Sequence, residues 1–231
     1  MKSLYYQYDM NIAERYIIRV KGNENSERMA SRCADSCRKL NQSYQFWDAY
    51  DGTGGSIIKP DHHNAVMDLI KITDHYATRT EVCTALSHIS LWVQCARIDR
   101  PIVILEHDAI MLKPYDHHSV YNSIGYLGGL EQYKKGWPVL ATPPHASEGP
   151  NYHFICRAHA YSIDPAVAKN LIAYAIKQGI YAPLDIMIRA DIFSFFQMDL
   201  FAYDESEDHN TTILNRPKIG RTTERNDKLE W

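Results

Sequence analysis

The sequence predicts a single α/β domain on a mixed, mostly parallel sheet flanked by helices. Three observations carry this expectation. The apolar runs RYIIRV (residues 15–20) and IVILE (102–106) do not alternate with polar residues, so they read as strands buried on both faces, as in a parallel sheet covered by helices. Segments with apolar residues at helical spacing stand between such runs, giving an alternation of strand and helix. The 231 residues, 45% of them hydrophobic, contain no repeat, low-complexity tract or long linker, which suits one domain over 1–231 with its core over 15–214 and a polar tail over 215–231.

The strand over 15–20 closes at Lys21-Gly22-Asn23, a turn signal. Met29, Cys33, Cys37 and Leu40 then recur near helical spacing beside Ala30 and Ala34, with Asn25 or Ser26 as N-cap. A second strand is expected over 44–50, followed by the loop Asp51-Gly52-Thr53-Gly54-Gly55. Val82, Ala85, Leu86, Ile89, Val93 and Ala96 make residues 81–98 the strongest amphipathic helix. It runs into Pro101, the strand IVILE and a short strand over 109–112. Beyond Pro114 the chain is rich in Gly and Pro up to Pro150, with strand-like segments at 138–142 and 154–163. Asp164 as cap and Pro165 at the first position start a helix that reaches Gln178 and stops at Gly179. FSFFQMDLFAY (193–203) reads as one more strand, ahead of an acidic loop and an irregular tail.

Composition narrows the function classes. A net charge of −3 gives no global basic field for nucleic acid or anionic lipid, and no apolar run approaches the roughly 18–20 residues of a membrane span. The N-terminal MKSLYYQYDMNIAER lacks the apolar core of a signal peptide. Five cysteines without a CxxC pair argue against a disulfide framework or a zinc ribbon, and Cys33 and Cys37, four apart, read as buried thiols. A reduced, cytoplasmic setting is the expectation. The 16 Tyr, 4 Trp and 11 His suit sugars, bases and metals as well as ordinary cores.

The chemistry concentrates where IVILE ends in Glu106-His107-Asp108. Ligands bind at the carboxyl ends of strands in open α/β sheets, and carboxylates at i and i+2 there make an oxygen site for Mg²⁺ or Mn²⁺. Glu106 as a cap and Asp108 as a turn residue is the structural alternative. The run Glu81-Val82-Cys83-Thr84-Ala85-Leu86-Ser87-His88-Ile89-Ser90-Leu91-Trp92, followed after about ten residues by ILEHDAIML, resembles the central signature of glycosyltransferase family 25 (lipooligosaccharide and collagen galactosyltransferases). Further blocks fit in order: Tyr16–Val20 with Glu27-Arg28, Phe46–Gly52, Ala160–Ile163 with the segment from Pro165 to Leu171, and Pro183-Leu184-Asp185. The resemblance spans residues 16 to about 214.

That resemblance implies a GT-A fold, a nucleotide-sugar donor, typically a UDP-sugar, a divalent metal (Mn²⁺ or Mg²⁺) and inversion at the sugar carbon. It implies donor contacts at Val20, Arg28, Asp51, Ser87, His88, Glu106 and His107, and metal ligation by Asp108 and His209, with Glu106 either a second ligand or an acceptor for a ribose hydroxyl. Asp185 is the candidate general base, its alternative being a helix cap for 186–190. His107 stands where the family carries an Asp, which removes one negative charge beside the metal. The acceptor is either a bacterial surface glycan or a hydroxymethylated pyrimidine in phage DNA, the latter on account of the basic tail Arg216, Lys218, Arg221, Arg225 and Lys228. Trp137 and Tyr133, within 126–152, mark a candidate acceptor loop. A non-catalytic nucleotide-sugar or carbohydrate binder with a decayed metal site is the rival reading, and a metallohydrolase on His62, His63, His117 and His118 a poorer one.

Overall fold

The computed structural model describes residues 10–73, 77–128 and 158–204. Ten strands and four α-helices follow in chain order among them: β1 (Met10–Asn11), β2 (Glu14–Arg19), α1 (Glu24–Lys39), β3 (Gln45–Asp48), α2 (Arg79–Ile98), β4 (Ile102–Leu105), β5 (Ala109–Met111), β6 (His117–His118), β7 (Ser123–Tyr126), β8 (Ala160–Ile163), α3 (Pro165–Gln178), α4 (Leu184–Met187), β9 (Ser194–Gln197) and β10 (Ala202–Asp204). Six of the strands form one sheet in the order β3-β2-β4-β8-β7-β9. β2 pairs in parallel with β3 and β4, and β7 with β9, while β8 is antiparallel to both of its neighbours. Five strands therefore run one way and β8 alone runs back, a mixed and mostly parallel sheet as expected.

Alternation along the strands sorts the core into two halves. Tyr16, Ile18, Ile102, Ile104, Tyr161 and Ile163 face the cluster under α2 and α3. Ile17, Val103, Leu105 and Ala160 face the other side, against Ala30, Cys33, Ala34 and Cys37 of α1. Both faces of the sheet are thus covered, which is why these strands are apolar throughout rather than every second residue. Each fully buried Ile or Leu here contributes roughly 1.5–3 kcal/mol.

The helices start and stop for local reasons. α1 is capped by Asn23, whose side chain accepts from Ser26 N at 3.0 Å; the expectation of Asn25 or Ser26 as cap is corrected, because the turn at Gly22 (φ +79°) ends two residues earlier. α2 opens with a capping box, Thr78 and Glu81 each bonding the other's backbone N–H, and closes at Asp99 in the left-handed region. α3 has Asp164 as its cap, Pro165 at its first turn and Gly179 beyond its end, as anticipated. Two departures concern strands. Residues 123–126 form β7, for which the Gly- and Pro-rich text gave no periodic signal. The segment 193–203 is two strands, since β9 pairs with β7 and β10 turns away to pair with β5. Among the described residues no helix is long and apolar enough to cross a membrane.

A buried polar knot ties the reversed strand to α3. Asp164 accepts from Ala166 N and Val167 N at 2.8 and 2.9 Å and from Ser123 N at 3.3 Å, with His118 Nε2 3.6 Å away. Burial pushes this carboxyl up, but His118 and the backbone donors outweigh it and hold it below the ordinary range. His118 Nδ1 meets Ser162 Oγ at 3.0 Å, and Tyr115 OH meets the same oxygen at 3.0 Å. The pair His117-His118 is therefore a piece of β6 with one ring in the core. Asp164→Ala removes a cap worth about 1 kcal/mol and leaves buried partners unmatched, so a loss of about 2–4 kcal/mol is expected in urea unfolding; a loss under about 1 kcal/mol would show the knot to be dispensable.

At the sheet edge, Trp47 of β3 donates its indole N–H to Ser90 Oγ of α2 at 2.9 Å and lies over His62, ring centroids 3.9 Å apart. Burial pulls the His62 imidazole down to about 4, against the opposing pull of Asp48 and Asp61. The folded value lies below the unfolded one near 6.5, so the folded state binds fewer protons between them. The stabilisation is complete above pH 6.5 and is lost as pH falls toward 4. Thermal unfolding should show a steeper decline over that window in the wild type than in His62→Phe; identical slopes would remove His62 from the account.

Candidate functional site

The ends of β2, β3 and β4 open onto the first half of α2, and the gap between them is a pocket of about 630 Å³, partly open to solvent. It lies where ligands usually bind, at the carboxyl edge of an α/β sheet. Val20 follows β2, Tyr50-Asp51-Gly52-Thr53 follow β3, and Glu106-His107-Asp108 follow β4. The fourth wall is the face of α2 that carries Thr80, Cys83, Thr84, Ser87 and His88, residues related by three- and four-residue steps. Seven residues expected at the site converge here: Val20, Asp51, Ser87, His88, Glu106, His107 and Asp108.

Glu106 to Ala109 is a tight turn, with Ala109 N donating to Glu106 O at 3.0 Å, so His107 and Asp108 are its corner residues. Alternation continues past the strand: Leu105 faces α1, so Glu106 faces α2 and His107 faces α1 again. The contacts agree. Glu106 Oε1 lies 3.1 Å from His88 Nε2 on α2, whereas His107 Nδ1 lies 2.8 Å from Ser26 Oγ on α1. Asp108 is buried, 9% exposed.

The proton positions follow from the partners. Trp92 Nε1, which can only donate, gives its hydrogen to Tyr161 OH at 3.0 Å. Tyr161 in turn meets His88 Nδ1 at 2.8 Å. A neutral His88 with its proton on Nε2 satisfies every atom: the phenol donates to Nδ1 and the imidazole donates to Glu106, a tautomer assigned from the network. Burial would raise the Glu106 carboxyl, but the bond from His88 and the rings of His88, His107 and His159 outweigh that and lower it, so it is an ionised acceptor. Ser26 Oγ accepts from Val20 N at 2.8 Å, and its own hydrogen has His107 Nδ1 as its acceptor among the described residues. His107 then carries its proton on Nε2, and burial, opposed by Glu106, lowers its pKa and keeps it neutral.

Other residues build the walls. Ser87 Oγ donates to Cys83 O at 2.7 Å and accepts from Tyr50 N at 3.0 Å, clamping the chain after β3 onto α2. Asp51 Oδ1 accepts from Thr53 N and Thr53 Oγ1 at 2.8 and 2.7 Å, which folds the loop. Tyr50 OH meets His63 Nδ1 at 2.8 Å, and His63 Nε2 meets Asp68 at 2.9 Å, so the wall is braced from behind. Burial, reinforced by Asp51, pushes the Cys83 thiol up to about 12, a protonated lining group and not a nucleophile.

Sequence reasoning missed Ser26, Tyr50, Thr80, Cys83 and Thr84; the helical spacing 80-83/84-87/88 from the expected Ser87-His88 pair was the available signal. Two expected residues do not line the pocket. Arg28 is exposed on α1, where its neighbour Glu27 makes the local bond, to Gly22 N at 2.9 Å. Asp185 is half-buried in α4, a helix packed against α2. It is not the cap expected for 186–190, because α4 begins at Leu184 with Pro183 as cap residue and no side-chain cap bond. His209, the basic tail and Tyr133 and Trp137 lie outside the described residues. Among the described residues no three His, Cys, Asp or Glu side chains gather to hold a metal ion, and His62, His63, His117 and His118 form no such group.

Gly52 sits where a Cβ would come within 2.9 Å of Arg79 O and Cys83 Sγ. Gly52→Ala should force the loop away from α2 and weaken the binding of any ligand held in this pocket about tenfold in calorimetry, with little change in melting temperature. Unchanged affinity would show that this loop does not bound the ligand.

The family model described as glycosyltransferase family 25 (LPS biosynthesis protein) matches residues 13–124. All the pocket-lining residues fall inside that span. No match was found among curated proteins.

Proposed function

We propose that the chain, whose residues 13–124 match the glycosyltransferase family 25 model, is a glycosyltransferase of that family that moves a sugar from a UDP-sugar to a glycan hydroxyl in lipopolysaccharide biosynthesis, with inversion at the sugar carbon. The observation that carries the reading is the coincidence of the family span with a pocket at the strand ends, floored by Glu106, His107 and Asp108.

The residues divide the work by their hydrogen-bonding character. Glu106, ionised and held by His88, accepts from a donor hydroxyl. His107 offers a neutral Nε2–H suited to a phosphate oxygen, in place of a carboxylate that would repel it. Asp108 is the residue for a divalent cation. Mg²⁺ commonly takes one or two carboxylates and fills its shell with water and substrate phosphates, so a single buried carboxylate beside a diphosphate fits where a complete protein cage is absent among the described residues. Such an ion supplies charge neutralisation for the leaving diphosphate. His209 is the further ligand in this reading.

Inversion requires a base on the acceptor side to take the hydroxyl proton as the oxygen attacks. Asp185 is our candidate; it lies off the pocket wall, so the donor sugar must extend from the pocket toward α4 for the base to reach the hydroxyl that attacks its carbon. The decisive assay is release of UDP from UDP-sugars with Mn²⁺, with and without a lipooligosaccharide acceptor. Asp108→Asn should lower both hydrolysis and transfer on the order of 100-fold. Asp185→Asn should cut transfer by roughly 100-fold or more while UDP binding persists. UDP binding without any turnover would replace the transferase by a binding protein. Turnover only with hydroxymethylated DNA would move the acceptor to nucleic acid.

A further inference from the structure

A second recess opens on the same sheet face, about 1550 Å³ of empty space that includes open solvent. Its walls are Tyr16 of β2, Gln45 and Trp47 of β3, His62 and Asn64 of the loop, and Ser90, Gln94 and Arg97 of α2. It shares no lining residue with the first pocket. Tyr16, Ile18 and Val20 stand on one face of β2 at two-residue steps, the first lining the recess and the other two the pocket. At about 3.3 Å per residue Tyr16 lies roughly 7 Å from Ile18 and roughly 13 Å from Val20, so the two sites follow one another along one seam.

The donor set is organised. Gln94 Nε2 donates to Tyr16 OH at 3.0 Å, and Gln94 Oε1 accepts from Arg97 Nε and Nη2 at 2.9 and 2.7 Å. Gln45 Nε2 donates to Glu14 at 2.8 Å, which leaves its carbonyl oxygen available. Arg97 makes no ion pair among the described residues, and its Nη1 is unused there. The recess thus offers fixed N–H donors, an amide acceptor and the half-buried indole of Trp47, itself braced by Ser90, His62 and Tyr16.

We propose that this recess is a saccharide-binding site. A pyranose presents an apolar C–H face and adjacent hydroxyls that both donate and accept, and an aromatic surface rimmed by amide and guanidinium groups answers both. Among the described residues no carboxylate lines it, which disfavours a hard divalent cation. An anion is disfavoured as well, because Arg97 is in the last turn of α2, where the helix presents its carbonyl ends. That the bound sugar is the distal part of the acceptor rests on the transferase reading; that the recess binds a sugar does not.

Saturation-transfer NMR and tryptophan fluorescence with galactose, glucose, N-acetylglucosamine and lactose test it, with inorganic phosphate as the anion probe. At least one sugar should bind and quench fluorescence. Arg97→Ala and Gln94→Ala, both at the rim, should weaken it by about tenfold or more while UDP affinity is unchanged. Gly52→Ala should do the reverse, leaving sugar affinity unchanged and weakening UDP about tenfold. Absence of sugar binding, sugar binding indifferent to both rim variants, or binding of phosphate alone overturns the proposal. Failure of UDP to bind while the sugar still binds removes the transferase reading and leaves the recess standing.

Discussion

The pocket depends on a buried run of hydrogen bonds from Trp92 through Tyr161 and His88 to Glu106. Its direction is set from both ends. An indole can only donate and an ionised carboxylate can only accept, so Trp92 gives its hydrogen to the phenol oxygen, His88 presents its Nε2–H to Glu106, and with His88 neutral the phenol donates to its Nδ1. The run joins α2, the reversed strand and the end of β4. Tyr161 is buried and its phenol is held well above its ordinary range by that burial, so it is neutral at physiological pH.

Pleating then decides what each residue of Glu106-His107-Asp108 can do. One faces α2, the next faces α1, and the turn between β4 and β5 leaves the third at the corner. The pocket is the place where the two helical layers part beyond the sheet edge, and each layer sends one side chain to hold it open: His88 from α2 and Ser26 from α1. The His at position 107 is at home in such a place. Its Nδ1 is taken by Ser26, a role a carboxylate accepting from the same hydroxyl would fill only by burying another negative charge next to Glu106 and Asp108.

Much of this was legible in the chain itself. Apolar runs before Gly22 and before Glu106 announced strands, Asp164-Pro165 announced a helix start, and the Ser87-His88 helix forms one wall of the pocket. The rest depended on distant partners. Asn23 caps α1 where Asn25 or Ser26 looked equally able, because only the backbone at Gly22 decides. β7 has no alternating pattern, being buried on both faces and short. FSFFQMDLFAY looked continuous although the chain changes sheets between Gln197 and Ala202. Ser87 was expected to touch a ligand, and its bonds are to the backbone of Tyr50 and Cys83. Hydrophobic period reports burial; it does not report which pair of groups meets across a hundred residues.

The lone reversed strand has a consequence for how such a chain can change. β7 ends at Tyr126 and β8 begins at Ala160, and their antiparallel pairing brings both points to the edge where β4 delivers Glu106. The connection between them can be lengthened, shortened or exchanged wholesale with the ladder left intact, since neither strand would change register. Variation in the length of that connection would therefore be felt at the sheet edge where Glu106 stands and not in the ladder itself.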